Sequence, residues 1–357
     1  MNSSHPPKPR WFRCLLGRQA RKKLTEAGSH PDCFTLLLAA SGGPRWLGLV
    51  GIDRALREYL QARTNPIPTL GASSGAWRLA ALAGDTDGQT YQELIHEYIE
   101  QRFEGKPTPD EVSAVCREYL GRLFTPERVR RVLSHPHFQL NFTTALMSKE
   151  LPTRWNTVAS MVLATLYNAV DRRLLGLSFK RAVFSSLPHP QGSPLANSWD
   201  RIPSITVPLT DQNFLPGILA TGSIPTVLAG ESNISGSGTG HHFDGGLVDY
   251  HFEVEAPGPI LYPHFSDDPI PGWMDRFFPY RRISRDARSQ LCIVMPSREM
   301  LELYPTGDYP SRLDFRKFDN DRRIGLWRET VKQNQLLEKE LTLCLQCGDL
   351  AKVAEPL

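Results

Sequence analysis

The stretch Ile67–Leu82, IPTLGASSGAWRLAAL, decides the reading of this chain. It opens on a short apolar run and closes on small and apolar residues that suit a helix. Between them lies Gly71-Ala72-Ser73-Ser74-Gly75. This is the G-x-S-x-G pattern of a sharp strand-to-helix turn, which holds its middle side chain clear of the sheet. A serine held there can attack a carbonyl, given a base to take its proton and backbone N–H groups to receive the negative charge. Ser73 is therefore the candidate nucleophile. Ser74 is not centred between the glycines and reads as a cap or support of the helix. A tight turn without catalysis is the other reading of the same five residues.

Working outward, Phe34–Ala40 (FTLLLAA) is a near-continuous apolar run, as expected of a buried parallel strand. The turn Ser41-Gly42-Gly43-Pro44 follows it, and Trp46–Leu60 carries Leu49, Ile52, Leu56, Tyr59 and Leu60 at helical spacing. Strand, helix, strand, helix predicts an α/β fold with a mainly parallel central sheet. From Thr90 to Gly176 the pattern turns mainly helical, with helices predicted over Thr90–Phe103, Asp110–Leu120, Pro126–Leu133 (capped by Thr125) and Trp155–Val170, the last well buried. This stretch reads as an insertion covering part of the sheet and one side of the site. Strand candidates return at Lys180–Ser185, Ile205–Leu209, Leu261–Phe265 and Leu291–Met295. A helix over Asp211–Leu228 is broken by Gly222 and Pro225, and Asn233–Gly240 reads as a loop. The expected organisation is a basic N-terminal extension (1–30), an α/β domain (31–324) with a helical insertion at about 90–176, and a C-terminal helix (325–357) packed on it by Trp327, Val331, Leu336, Leu337 and Leu341.

The 357 residues suffice for a substantial core, and the 29 prolines imply many loops. A formal net charge of +3 provides no strong field for nucleic acid. The charge is uneven, with seven Lys or Arg against one acidic residue from Met1 to His30. Trp11, Phe12, Leu15 and Leu16 stand among them, so this prefix reads as a basic helix. It is either solvated and packed by those few apolar residues or laid on an anionic surface. No 18-residue apolar stretch and no secretory h-region occur, which makes cytoplasmic residence the expectation. Six cysteines in a chain of this length make no disulfide framework. Cys344 and Cys347 form a C-x-x-C without a second ligand pair and read as ordinary helix thiols. Arg276, Arg281, Arg282, Arg285 and Arg288 interleave with Phe277, Phe278 and Tyr280. Anions, or ion pairs with Asp267, Asp268, Asp275 and Asp286, account for them better than nucleic acid, since no binding module surrounds them.

Gly42 and Gly43 follow the first strand without a Cβ to block a substrate, so their N–H groups are the candidate oxyanion hole. Arg45 is read as fixing this loop or attracting an anionic head group. Asp244, in Phe243-Asp244-Gly245-Gly246, is the candidate base; Asp249 lies near it but lacks the glycine context. His251 and His264 have the chain order of a triad histidine, and His241 and His242 adjoin the aspartate, yet none has a distinctive motif. No H-E-x-x-H or carboxylate cluster suggests a metal. Trp46 and Trp77 either line an acyl pocket or fill core.

Together, Ser41-Gly42-Gly43-Pro44-Arg45, Gly71-Ala72-Ser73-Ser74-Gly75 and Asp244-Gly245-Gly246 resemble the motifs of the patatin-like phospholipase family. Leu219-Ala220-Thr221-Gly222-Ser223-Ile224-Pro225 is similar to the small-residue and proline stretch before that family's aspartate motif. The resemblance spans Phe34 to about Tyr250. It implies a three-layer α/β/α fold and a Ser–Asp dyad without histidine, with Ser73 as nucleophile, Asp244 as base, Gly42 and Gly43 at the oxyanion and Arg45 at the family's basic position. The family's first loop usually reads D-G-G-G-x-R-G; here Ala40, Ser41 and Trp46 replace its first Asp, first Gly and last Gly. The implied activity is hydrolysis of carboxylic esters of lipids, of phospholipase A or lysophospholipase type, through an acyl-serine; the sequence itself shows no calcium site and no need for a diffusible cofactor. The implied partners are a lipid ester and, transiently, an anionic membrane surface. A lipid acyltransferase using the same dyad and a non-catalytic lipid-binding protein are the alternatives.

Overall fold

The computed structural model describes residues 9–147, 154–187, 195 and 199–357. Twelve strands occur among them: β1 (Phe12–Leu16), β2 (Leu36–Ala39), β3 (Ile67–Ala72), β4 (Phe138–Gln139), β5 (Asn141–Met147), β6 (Lys180–Ser185), β7 (Ser204–Pro208), β8 (Glu231–Ser232), β9 (His241–Asp244), β10 (Ile260–Pro263), β11 (Leu291–Pro296) and β12 (Glu355–Pro356). They form one mixed, mostly parallel sheet in the order β12-β1-β11-β10-β2-β3-β5-β6-β7, with β4 beside β3, and β9 joining β5 to β8. The helices that matter for the site are α1 (Arg18–Ala27), α2 (Val50–Gln61), α3 (Ser74–Leu82), α4 (Gln89–Ile99), α5 (Pro109–Leu123), α6 (Pro126–Leu133), α7 (Arg154–Val170) and α8 (Asp211–Thr221). The chain is an α/β protein.

β2 and β11 are buried at every position, as expected of inner strands covered on both faces. β5 is equally buried, yet it carries Asn141, Thr143 and Thr144. The expected helical insertion at 90–176 is thus interrupted by an inner strand of the sheet. Its polar residues hid it, because they disrupt the apolar run that marks a buried strand.

The basic prefix does not form a helix at Trp11–Leu16. Phe12–Leu16 runs antiparallel to β11 over five residue pairs, with Phe12, Cys14, Leu15 and Leu16 buried. The lysines and arginines that follow lie on α1, which buries only Ala20 and Leu24. At the other end of the chain β12 pairs in parallel with β1. Segments 1–30 and 325–357 therefore supply the last two strands of the main sheet, which is why they do not separate from the α/β domain. The long C-terminal helix begins earlier than expected, at Asn320, where the Asp319 side chain accepts the Arg322 N–H at 2.7 Å, and it continues to Gln346. It packs so closely on α2 that a Cβ at Gly51 would strike the Asn334 carbonyl.

α7 departs from the expectation of a well-buried helix. Val162, Leu166 and Val170 are 56%, 60% and 79% exposed. Apolar residues at four-residue spacing suit a helix packed in a core and one facing a cavity equally well.

Candidate active site

β5 brings the site together. Along one edge it pairs with β6 from Asn141 to Leu146. Its other edge is shared: β3 ends there with Ala72 opposite Thr143, and β9 takes over with Asp244 opposite Thr144. Ser73 is the residue at which the chain leaves β3, and Asp244 occupies the next place on the same edge. Two residues 171 apart in sequence thus meet because two strands are joined end to end on a third. The Ser73 hydroxyl donates to Asp244 Oδ2 at 2.7 Å, and both residues are buried.

Ser73 has φ 54° and ψ −131°, a conformation that a residue with a Cβ rarely adopts. The surroundings hold it there. A Cβ at Gly75 would strike the Ala39 carbonyl on β2, and one at Gly71 would lie 2.8 Å from Ala76 N, so both glycines are needed for the helix to turn back on the strand. The Ser73 N–H donates to Thr221 Oγ1 at 2.9 Å, and that hydroxyl donates in turn to the Thr143 carbonyl at 2.6 Å. Thr221, at the end of α8, therefore ties the elbow to β5. Nothing in the local sequence distinguishes Thr221; only its place in the Ala-Thr-Gly-Ser stretch marks it.

Burial pushes the Asp244 carboxyl up from its ordinary value. The Arg312 charge and hydrogen bonds from the Ser73 hydroxyl and the Gly246 N–H oppose that rise without overcoming it. Oδ1 accepts the Gly246 N–H at 2.7 Å, which leaves Oδ2 for the serine. A Cβ at Gly245 would strike the Thr143 carbonyl, so glycine lets this turn lie against β5.

Gly42 and Gly43 leave the end of β2, which pairs in parallel with β3, Ala39 opposite Gly71. The glycine loop and the elbow thus emerge at the same end of neighbouring strands. Gly43 has φ 55° and opens a 3₁₀ segment, Gly43–Leu49, whose second residue, Pro44, has no N–H. The N–H groups of the two glycines remain the candidate oxyanion donors. Ser41 sits just before them. Its hydroxyl is buried without a hydrogen-bond partner and faces the same cavity as Asp244.

That cavity encloses about 530 Å³. Ser41, Asp244 and Gly246 line it, α7 contributes Val158, Met161, Val162, Thr165 and Leu166, and Trp273, Phe277 and Arg312 are among the rest of the lining. Arg312 comes from a segment in which the sequence offered no motif.

The histidines have other partners. His242 is pinned between Thr144 Oγ1 and Ser237 Oγ, both at 2.8 Å, and burial lowers it to about 4. His241 meets Ser232. His251 Nδ1 accepts the Ile270 N–H at 3.0 Å, and His264 Nδ1 accepts the Ser266 N–H at 2.8 Å. Burial lowers His264 to about 3. Ser73 Oγ bonds to Asp244, not to a histidine. Asp249 is held by Arg181. Trp46 and Trp77 fill core, packed around Tyr98, and neither lines the cavity. Arg282 and Arg288 pair with Asp268, whereas Asp275 is taken by Arg172. Cys344 and Cys347 are free thiols, and among the described residues no cluster of His, Cys, Asp and Glu could hold a metal ion. No protein-family model matches the chain, and no curated protein is significantly similar to it in sequence.

Proposed function

We infer that the chain is a serine acyl hydrolase acting on carboxylic esters of lipids through a Ser73–Asp244 dyad. The observation that carries this reading is the hydrogen bond from Ser73, in its strained elbow, to a buried carboxylate that lines a largely apolar cavity. The α/β fold is compatible with the three-layer arrangement of patatin-like phospholipases, and we read it as such.

Asp244 Oδ2 accepts the Ser73 proton as Oγ bonds to the ester carbonyl carbon. The carbonyl oxygen becomes an oxyanion, which the N–H groups of Gly42 and Gly43 receive. Collapse breaks the bond to the alcohol, which takes the proton from Asp244 and leaves acyl-Ser73. Water then gives a proton to Asp244 and attacks the acyl carbon; release of the fatty acid restores the Ser73 hydroxyl. An aspartate is a weak base in bulk water, but burial raises its affinity for the proton.

The lipid assignment rests on the cavity wall. The exposed residues of α7, with Phe277 at 53% exposure, continue the apolar lining out to the surface. An acyl chain entering from an aggregate or a membrane fits such a surface, and a small polar ester does not use it. Among the described residues no helix is long and apolar enough to cross a membrane.

The test is labelling with a fluorophosphonate, which reacts preferentially with an activated serine. Wild type labelled at Ser73, with folded Ser73→Ala and Asp244→Ala unlabelled, is the expected result. Folded wild type that takes no label with lipid vesicles present or absent overturns the reading.

A further inference from the structure

Ser41 carries a buried hydroxyl that neither half of the dyad uses. The residue is 2% exposed and lines the cavity with Asp244, Gly246 and Tyr250. Among the described residues its Oγ has no hydrogen-bond partner. Other buried hydroxyls near the dyad are committed: those of Thr221 and Ser223 donate to carbonyls at 2.6 and 2.8 Å. Those of Ser74 and Thr143 are unpaired as well, but neither residue lines the cavity. A buried hydroxyl that no protein group meets is costly to keep, which points to a partner that comes and goes with the reaction. The family that the chain resembles usually has glycine where Ser41 stands, so this hydroxyl is a feature of the present chain.

The strands place Ser41 beside the dyad. β2 pairs with β3 through Ala39 opposite Gly71, so Ser41 and Ser73, each two residues further on, leave neighbouring strands at the same level. The Ser41 N–H donates to the Tyr250 carbonyl at 3.1 Å, which fixes the backbone and leaves the side chain to the cavity. A Cβ at Gly246 would lie 2.5 Å from Ser41 Oγ and 2.9 Å from Asp244 Oδ1. The two oxygens thus share the small space over Gly246 without bonding to each other, a setting that suits a bridging water. Position also selects the role. The candidate oxyanion donors are the N–H groups of the residues that follow Ser41, whereas its Oγ packs on the turn that carries the base. A hydroxyl on the base's side meets the attacking oxygen, not the carbonyl oxygen.

We propose that the Ser41 hydroxyl holds the water that releases the acyl group from Ser73. This rests on the hydrolase reading and assigns a residue to the second of its two steps. In acyl-Ser73 the serine oxygen is bonded to the acyl carbon and no longer donates to Asp244. A water in that place gives one hydrogen to the freed carboxylate and the other to Ser41 Oγ, which leaves a lone pair for the acyl carbon. As the water oxygen bonds to that carbon, its proton passes to Asp244. Collapse then breaks the bond from the carbon to Ser73 Oγ, which takes the proton back as the fatty acid leaves. The first step needs no such help, because Ser73 reaches Asp244 directly at 2.7 Å.

The full-length protein tests this with p-nitrophenyl octanoate in neutral detergent. Release of nitrophenolate in the first turnover reads acylation. Decay of acyl-Ser73, followed by intact mass after rapid quenching, reads the water step. Ser41→Ala should leave the first-turnover release and the rate of fluorophosphonate labelling unchanged. It should slow the decay of acyl-Ser73 about tenfold, the worth of one hydrogen bond, so that acyl protein accumulates. Ser41→Gly removes the same hydroxyl and should match it. Hydroxylamine is a stronger nucleophile than water and needs less positioning, so it should restore the decay in both variants.

Slowing of acylation, alone or together with deacylation, overturns the assignment, because an oxyanion donor or a support of the loop serves both steps alike. Decay of acyl-Ser73 at the wild-type rate in both variants overturns it too, as does a defect that hydroxylamine leaves in place. Folded wild type whose Ser73 takes no fluorophosphonate label sinks the hydrolase reading and this assignment with it. That result is distinct from labelled protein that acylates and deacylates without regard to Ser41.

Discussion

Asp244 and Asp249 lie five residues apart, both buried, and their surroundings could hardly differ more. Asp249 receives Arg181 Nε and Nη2, each at 2.7 Å. Arg181 also meets Asp200, which shares Arg172 with Asp275, so two arginines and three aspartates form one linked network. At Asp200, burial pushes the carboxyl up, and the charges of Arg181 and Arg172 outweigh it and hold it below the ordinary value. At Asp244 the balance falls the other way. Its neighbours are a serine hydroxyl and a backbone N–H, and Arg312 acts only through its field. A buried carboxylate with an arginine on it is committed to structure; one left with a hydroxyl retains a use for its proton affinity.

The largest expected effect tests that contrast directly. Asp244→Asn keeps the shape and removes the base, and it should cut ester hydrolysis about 10³- to 10⁴-fold, as loss of one member of a catalytic unit does. The same substitution should not destabilise the fold. Burial raises the folded-state pKa of Asp244 above its unfolded value, so folding favours the protonated carboxyl. Stability is therefore greatest below the unfolded pKa and is lost as pH rises through the folded one. At neutral pH the ionised group is a burden, and Asp244→Asn should stabilise by about 0.5–2 kcal/mol, read by denaturant unfolding. A marked loss of stability would place Asp244 with Asp249 as a structural group.

Asp249→Asn should do the reverse. It leaves Arg181, with no exposed surface, short of its main partner, and should destabilise by about 3–5 kcal/mol. What folds should keep a reactive Ser73, so fluorophosphonate labelling at low temperature separates the two aspartates.

Sequence reading singled out Ser73 and Asp244, which the fold brings into a hydrogen bond, because each is carried by a local pattern that backbone geometry demands. Gly75 must clear Ala39, and Gly245 must clear Thr143. It did not reach β5, whose threonines serve hydrogen bonds within the sheet, nor the β1–β11 pairing, which joins residues almost 280 apart. Arg312 and Thr221 act through places fixed only by the fold. The exposure of α7 was hidden for a different reason: apolar spacing tells which residues share a face but not what covers it.

A smaller effect is the pH dependence. Asp244 must be ionised to accept the proton, so kcat/KM should fall as pH drops through a pKa raised by burial. Arg312→Gln removes a charge that holds this pKa down, so the acid limb should move to higher pH. Asp249→Asn should leave the limb where it is. If the limb follows Asp249 and ignores Arg312, the assignment of roles is reversed.

The smallest effect concerns a carboxylate placed where neither solution is available. Leu166 lies on the cavity wall and is 60% exposed, so Leu166→Asp creates a charge that is hydrated, neither paired nor forced up by burial. Surface substitutions of this kind usually change stability by about 0.5 kcal/mol or less. The loss should instead appear in substrate handling. A charge on the path of the acyl chain opposes burial of methylene groups, each worth about 0.8 kcal/mol when fully removed from water. Long-chain esters should therefore lose several-fold more in kcat/KM than short-chain ones, mostly through KM. Equal losses for both chain lengths would mean that α7 bounds the cavity without guiding the chain, and the lipid would have to enter past Phe277 and Arg276.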